Sequence, residues 1–142
     1  MIPFRVAFKP GASLYEQVVY AAKKALVSGQ LRPGDPFPSV RTLSAELKIN
    51  PNTAHKVITQ LLNEGLLEVR PGTGTAVAVP RESTAAECSR LLENEVEQLV
   101  VEAKKLSMTL EEVADALAAH WHRLDAPGKA GSLTSKGGRK NR

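Results

Sequence analysis

The stretch "INPNTAHKVITQLLNEGLL", residues 49–67, decides the fold, because it reads as one helix whose two faces differ in chemistry. Asn50 suits the N-cap, where its side-chain oxygen accepts from an amide left without a helical partner. Pro51 suits the first helical position, where no amide is needed. Ala54, Val57, Ile58, Leu61 and Leu62 recur at helical spacing and predict a buried stripe, and Gly65 marks the stop. The other face carries Asn52, Thr53, His55, Lys56, Thr59 and Gln60, all able to hydrogen-bond. Its first turn holds the positive end of the helix dipole, which suits base edges and phosphates. For a helix in isolation, a plain solvated face explains the same residues.

The flanking sequence supplies the context. Upstream, Ser39 is a good N-cap for a short helix with Val40, Leu43 and Leu47 inward, ending near Lys48. A short helix, a connection of roughly three residues and a second helix with a polar leading end make a helix-turn-helix. Farther upstream, Ser13 and Glu16 form a capping box that opens a helix over about 14–28, with Leu14, Val18, Ala22, Ala25 and Leu26 on one face. Between these helices, "SGQLRPGDPFPS" holds too many glycines and prolines to be helical. Downstream, "LLEVRPGTGTAVAVP" alternates around a glycine-rich turn and predicts two short strands. Leu67, Val69, Val77 and Val79 are expected to cover the helices. The turn is expected to form a wing, with Arg70, Gly72 and Gly74 close to the phosphate backbone or minor groove.

A second unit follows. Thr84 with Glu87 and Thr109 with Glu112 are two further capping boxes, so two helices meet at "LSM". In the first, Leu92, Val96, Leu99, Ala103 and Leu106 recur at alternating spacings of 4 and 3, a heptad seam. In the second, Leu110, Val113, Leu117, Trp121 and Leu124 make another apolar stripe. Neither helix hides its stripe alone. The stripes either fold back onto the winged unit or pair with a second copy, and the regular seam favours a homodimer. The organisation expected is a winged helix-turn-helix DNA-binding domain over 1–81, a two-helix dimerisation hairpin over 82–124, and a disordered basic tail over 125–142. The fold class is mostly α with a small β wing.

Charge follows the same division. Residues 1–81 carry ten Lys/Arg against five Asp/Glu, residues 82–124 four against nine, and residues 125–142 five against one. A basic first part is the footprint of a nucleic-acid binder, and an acidic middle is repelled from phosphates. The tail adds nonspecific attraction to DNA or serves solubility, with the second favoured. Aromatic residues make up 4% of the chain, so no stacking platform for single strands is advertised. No apolar run reaches membrane-spanning length and the N-terminus lacks a signal-peptide core, so no membrane partner and a cytoplasmic location are expected. The lone Cys88 excludes an internal disulfide framework and reads as a small apolar filler on a helix. His120 and His122, two apart on a helix, point to different faces and make no metal site. No phosphate loop or nucleophile elbow is present, so neither an enzyme nor a cofactor is expected.

At these residues the chain resembles the GntR family of bacterial transcription regulators. The resemblance covers 13–80 through "LYEQV", "SGQLRPGDPFPSVRTLSAEL", "INPNTAHKVITQLLNEGLL" and "GTGTAVAV". The short remainder, with "NPNT", is similar to the YtrA-type subfamily, whose members carry a two-helix dimerisation part. The resemblance implies that Arg41 reads a guanine, that Asn50, Asn52, Thr53, His55 and Lys56 contact DNA from the recognition helix, and that Gly72 and Gly74 do so from the wing. His55 stands where several members carry Arg, and Pro71 where a basic residue is common, so the resemblance implies the DNA-binding mode but not the operator preference. The partner expected is a near-palindromic double-stranded operator bound by a homodimer, as a repressor more than an activator, since so small a protein has little surface for recruiting polymerase. A small-molecule effector stays unknown. The alternative is an adaptor that binds a protein through the polar helix; steeply salt-dependent duplex binding separates the two.

Overall fold

Ser13 starts the first helix as its residue type dictates: its side chain accepts from the Glu16 amide, and α1 runs Leu14–Val27. In the computed structural model, which describes residues 2–125, the N-terminal unit continues with α2 (Val40–Leu47), α3 (Pro51–Asn63), β1 (Leu67–Arg70) and β2 (Gly74–Val77). Ser39 caps α2 by accepting from the Thr42 amide. Asn50 caps α3 by accepting from the Asn52 amide at 2.7 Å, with Pro51 in the first helical position. Lys48, Ile49 and Asn50 make the whole turn between these helices, and Ile49 is buried in it.

Lys48 stands at φ 56° and ψ 47°, the left-handed region. A side chain there costs about 1–2 kcal/mol, which glycine avoids, while glycine's freer unfolded chain gives back about 0.4–1 kcal/mol. Lys48→Gly is therefore expected to raise stability by about 0.5–1 kcal/mol, read as a higher urea midpoint at an unchanged slope. A lower midpoint would mean that contacts of the lysine stem outweigh its backbone strain.

The core collects Val18, Ala22 and Ala25 of α1, Leu43 of α2, and Ala54, Val57, Ile58 and Leu61 of α3. Helices α1 and α2 both pack on α3, and β1 follows it back across the unit. Lys23 pairs with Glu64 at 2.9 Å, tying the end of α1 to the end of α3. Burial raises the Glu64 carboxyl, but the hydrogen bonds from Lys23 and Gln60 outweigh it and hold it below its ordinary value. Leu14, expected inward, is exposed, because it sits at the helix tip beyond the core.

Strands β1 and β2 pair antiparallel, with Leu67 opposite Val77 and Arg70 opposite Gly74. Leu67 and Val77 are buried as expected, but Val69 and Val79 are 66% and 70% exposed. The hairpin reaches past the helices, so Val69 has nothing to cover, and Val79 lies beyond the paired residues. The proline-rich loop supplies what alternation did not show. Phe37 donates to the Thr75 carbonyl, Val77 to that of Asp35 and Gly34 to that of Val77, so 34–37 lines the free edge of β2 and Ala76 is buried. Pro36 is tolerated there because an edge position needs no amide. Phe37 in turn stacks on Phe4, ring centroids 5.9 Å apart, both buried. Gln17 holds the N-terminal segment: its amide accepts from the Lys9 amide and donates to the carbonyls of Lys9 and Ala12.

The described residues up to Leu124 fall into two compact units, one within Met1–Pro80 and the other Arg81–Leu124. In the second, Thr84 opens α4 (Ala85–Arg90), which passes through a π-helical turn (Leu91–Glu95) into α5 (Val96–Lys105). Thr109 opens α6 (Leu110–Arg123). Both capping boxes form as read, with Glu87 and Glu112 reaching back to their caps. Leu92 lies inside the wide π turn, so its spacing to Val96 does not align the two as an α-helical heptad would. Ala103 is buried and Val113 half-buried, whereas Leu92, Val96, Leu99, Leu106, Leu110, Leu117 and Trp121 are exposed. Cys88 is exposed on α4, near the Ser83 hydroxyl, and fills no core. The expected tail lies, from 126 on, outside the described residues.

Candidate nucleic-acid interface

Helix α3 presents two faces because its apolar residues recur every three or four positions. Ala54, Val57, Ile58 and Leu61 are buried, while Asn52, His55, Lys56 and Thr59 are exposed and Thr53 and Gln60 half-exposed. The cap commits Asn50 Oδ1 to the helix's own amide, which leaves the Nδ2 donors for an outside acceptor. Arg41 is exposed in the first turn of α2, the helix packed against α3. Tyr15, His55, Lys56, Thr59 and Gln60 line a shallow groove of about 250 Å³. The Lys56 ammonium lies over the Tyr15 ring, 5.1 Å from its centroid, a contact between α1 and α3 that sequence spacing does not reveal.

At the tip of the hairpin, Gly72 and Gly74 have φ of 82° and 101°. A Cβ at either would meet nothing within 4 Å, so backbone conformation and not crowding explains glycine there. Arg70 is exposed but engaged. Its Nε and a terminal guanidinium nitrogen donate to Glu68 Oε2 at 2.9 and 2.8 Å. Residues two apart on a strand share a face, so this pairing was open to sequence reading and was missed. An exposed pair of this kind is worth about 0.2–1 kcal/mol. Glu68→Gln is expected to free Arg70, remove a negative charge, and tighten binding to mixed-sequence duplex DNA about two- to five-fold. Weaker binding by the variant would mean that Glu68 orients Arg70 productively.

Three helices with α3 leading from a tight turn, followed by a two-stranded wing, define a winged helix-turn-helix protein. The model of bacterial regulatory proteins, gntR family, matches residues 14–77. The chain is 30% identical over 129 residues to the HTH-type transcriptional repressor YtrA of Bacillus subtilis, covering 90% of this chain and 91% of that one. It is 31% identical over 110 residues to the uncharacterized HTH-type transcriptional regulator YhcF of the same organism, covering 78% and 91%. Among solved structures, a transcriptional antiterminator from Listeria monocytogenes shares the fold at a TM-score of 0.76 and 22% identity, over 85% of this chain and 91% of that one. The chain belongs to the GntR family of bacterial transcription regulators. It is a sequence-specific DNA-binding transcription regulator. Among the described residues no helix is long and apolar enough to cross a membrane.

Proposed function

We propose that the protein is a cytoplasmic repressor of the YtrA type that binds a near-palindromic operator as a homodimer. The observation that carries this reading is the exposed polar face of α3, capped by Asn50, with Arg41 exposed on α2, the helix packed on α3. In this reading α3 enters the major groove: Arg41 takes a guanine through its planar fork, Asn50, Asn52, Thr53 and His55 meet base edges, and Lys56 meets phosphate. Arg70, Gly72 and Gly74 bring the wing to the backbone or minor groove. The domain limits are 1–81 for DNA binding and 82–124 for dimerisation.

Dimerisation is supported by the exposed apolar residues of Arg81–Leu124, among them Leu99 at 44% and Trp121 at 62%. Repression is supported by the 30% identity to a relative named a repressor. Genome-wide footprinting with the purified protein tests the reading. Two half-sites related by a dyad, centred about one helical turn or a multiple of it apart, are the expected pattern. Single, unpaired half-sites would remove the dimer from the proposal.

A further inference from the structure

We propose that Tyr15 is a positioning residue for DNA binding, its ring holding the Lys56 ammonium on the face of α3. The inference rests on the reading of Lys56 as a phosphate contact and names what places that lysine.

A second aromatic–lysine pair shows what is unusual here. Lys24 lies over the Tyr20 ring at 5.9 Å, but these residues are four apart on α1, where helical periodicity alone brings side chains together. Tyr15 and Lys56 belong to different helices and meet at 5.1 Å only because α1 packs on α3. Tyr15 is half-buried and packs against the core, so its ring is a fixed platform, whereas Lys56 is exposed. A lysine in solvent samples many rotamers, and ordering it on binding costs conformational entropy. The electron-rich ring face attracts the ammonium and restricts it before DNA arrives. An ammonium has three N–H donors, so one seated on a ring keeps donors for a phosphate oxygen. His55, Thr59 and Gln60 line the same groove and define its polar border. The device adds no base reading. Its effect falls equally on all sequences.

The test uses the full-length protein, a mixed-sequence duplex of about 30 base pairs, and fluorescence anisotropy across a salt series. Lys56→Met is expected to weaken binding and to lower the salt slope of the dimer by about 1.8, or about 0.9 for the one phosphate met by each subunit. Tyr15→Leu is expected to weaken binding about two- to five-fold, Tyr15→Phe to retain wild-type affinity, and Tyr15→Leu with Lys56→Met to match Lys56→Met alone. If Lys56→Met binds like wild type, the phosphate reading of Lys56 fails and the proposal with it. If Lys56→Met is weak while Tyr15→Leu is not, the positioning role alone fails. Equal losses in Tyr15→Phe and Tyr15→Leu would overturn it too, by assigning the effect to the hydroxyl. Proton NMR of the free protein gives a readout that does not require Tyr15→Leu to fold: the Lys56 side-chain methylenes are expected upfield by ring current in wild type and in Tyr15→Phe. Unshifted methylenes in wild type would overturn the pairing.

Discussion

Leu99→Asp is expected to convert the protein to a monomer and to reduce operator affinity on the order of 10² to 10⁴-fold. The magnitude is the effective-concentration gain that tethering gives a second half-site. Leu99 is 44% exposed on α5, in the Arg81–Leu124 unit, and none of the proposed DNA contacts lies there. A carboxylate at an apolar contact cannot be buried without a partner, so the subunits separate while each winged unit stays folded. Cutting the chain after Arg81 should do the same, because among the described residues the buried apolar ones lie between Phe4 and Val77, with Ala103 alone outside. Sedimentation gives the oligomeric state and operator titration the affinity. A dimer with full affinity in either variant would place the interface elsewhere.

Arg41→Ala is expected to weaken operator binding by about 1–3 kcal/mol and to relax preference at one position in each half-site. Arg41 is exposed at the start of α2, so its loss leaves the Leu43 core contact intact. Random duplex should be bound nearly as well as by wild type, because a base contact contributes little to nonspecific affinity. Titration of operator and random duplex at one salt concentration separates the two. An equal loss on both would make Arg41 a phosphate contact and leave base reading to α3.

Helix starts were legible because a cap is a local event. Ser13, Ser39, Asn50, Thr84 and Thr109 each accept from an amide two or three residues on, and no distant residue takes part. The stripe of α3 was legible for the same reason, since 3.6-residue periodicity alone sorts Ala54, Val57, Ile58 and Leu61 to one side. The DNA-facing candidates are what that sorting leaves on the other side. Periodicity failed where a residue's surroundings depend on how far its neighbours reach. Val69 shares a strand face with Leu67 yet lies beyond the helices, and Leu14 stands at the tip of its own helix.

Turn chemistry also divides in this way. Gly72 and Gly74 announce a hairpin, and the hairpin forms with both at positive φ. That residues 34–37 add themselves to β2 could not be read, because Pro36 meets Ala76 across forty residues of chain. The stacking of Phe4 on Phe37 depends on that pairing in turn. By itself the sequence determined the helix-turn-helix, the hairpin, their order and the polar face of α3, all set by interactions within a few residues. Only the tertiary structure decided that Lys56 rests on Tyr15, that a proline-rich loop becomes a sheet edge, and that the N-terminal segment is pinned by Gln17. Such contacts follow from helix crossing and chain return, where packing selects among geometries that local sequence permits equally.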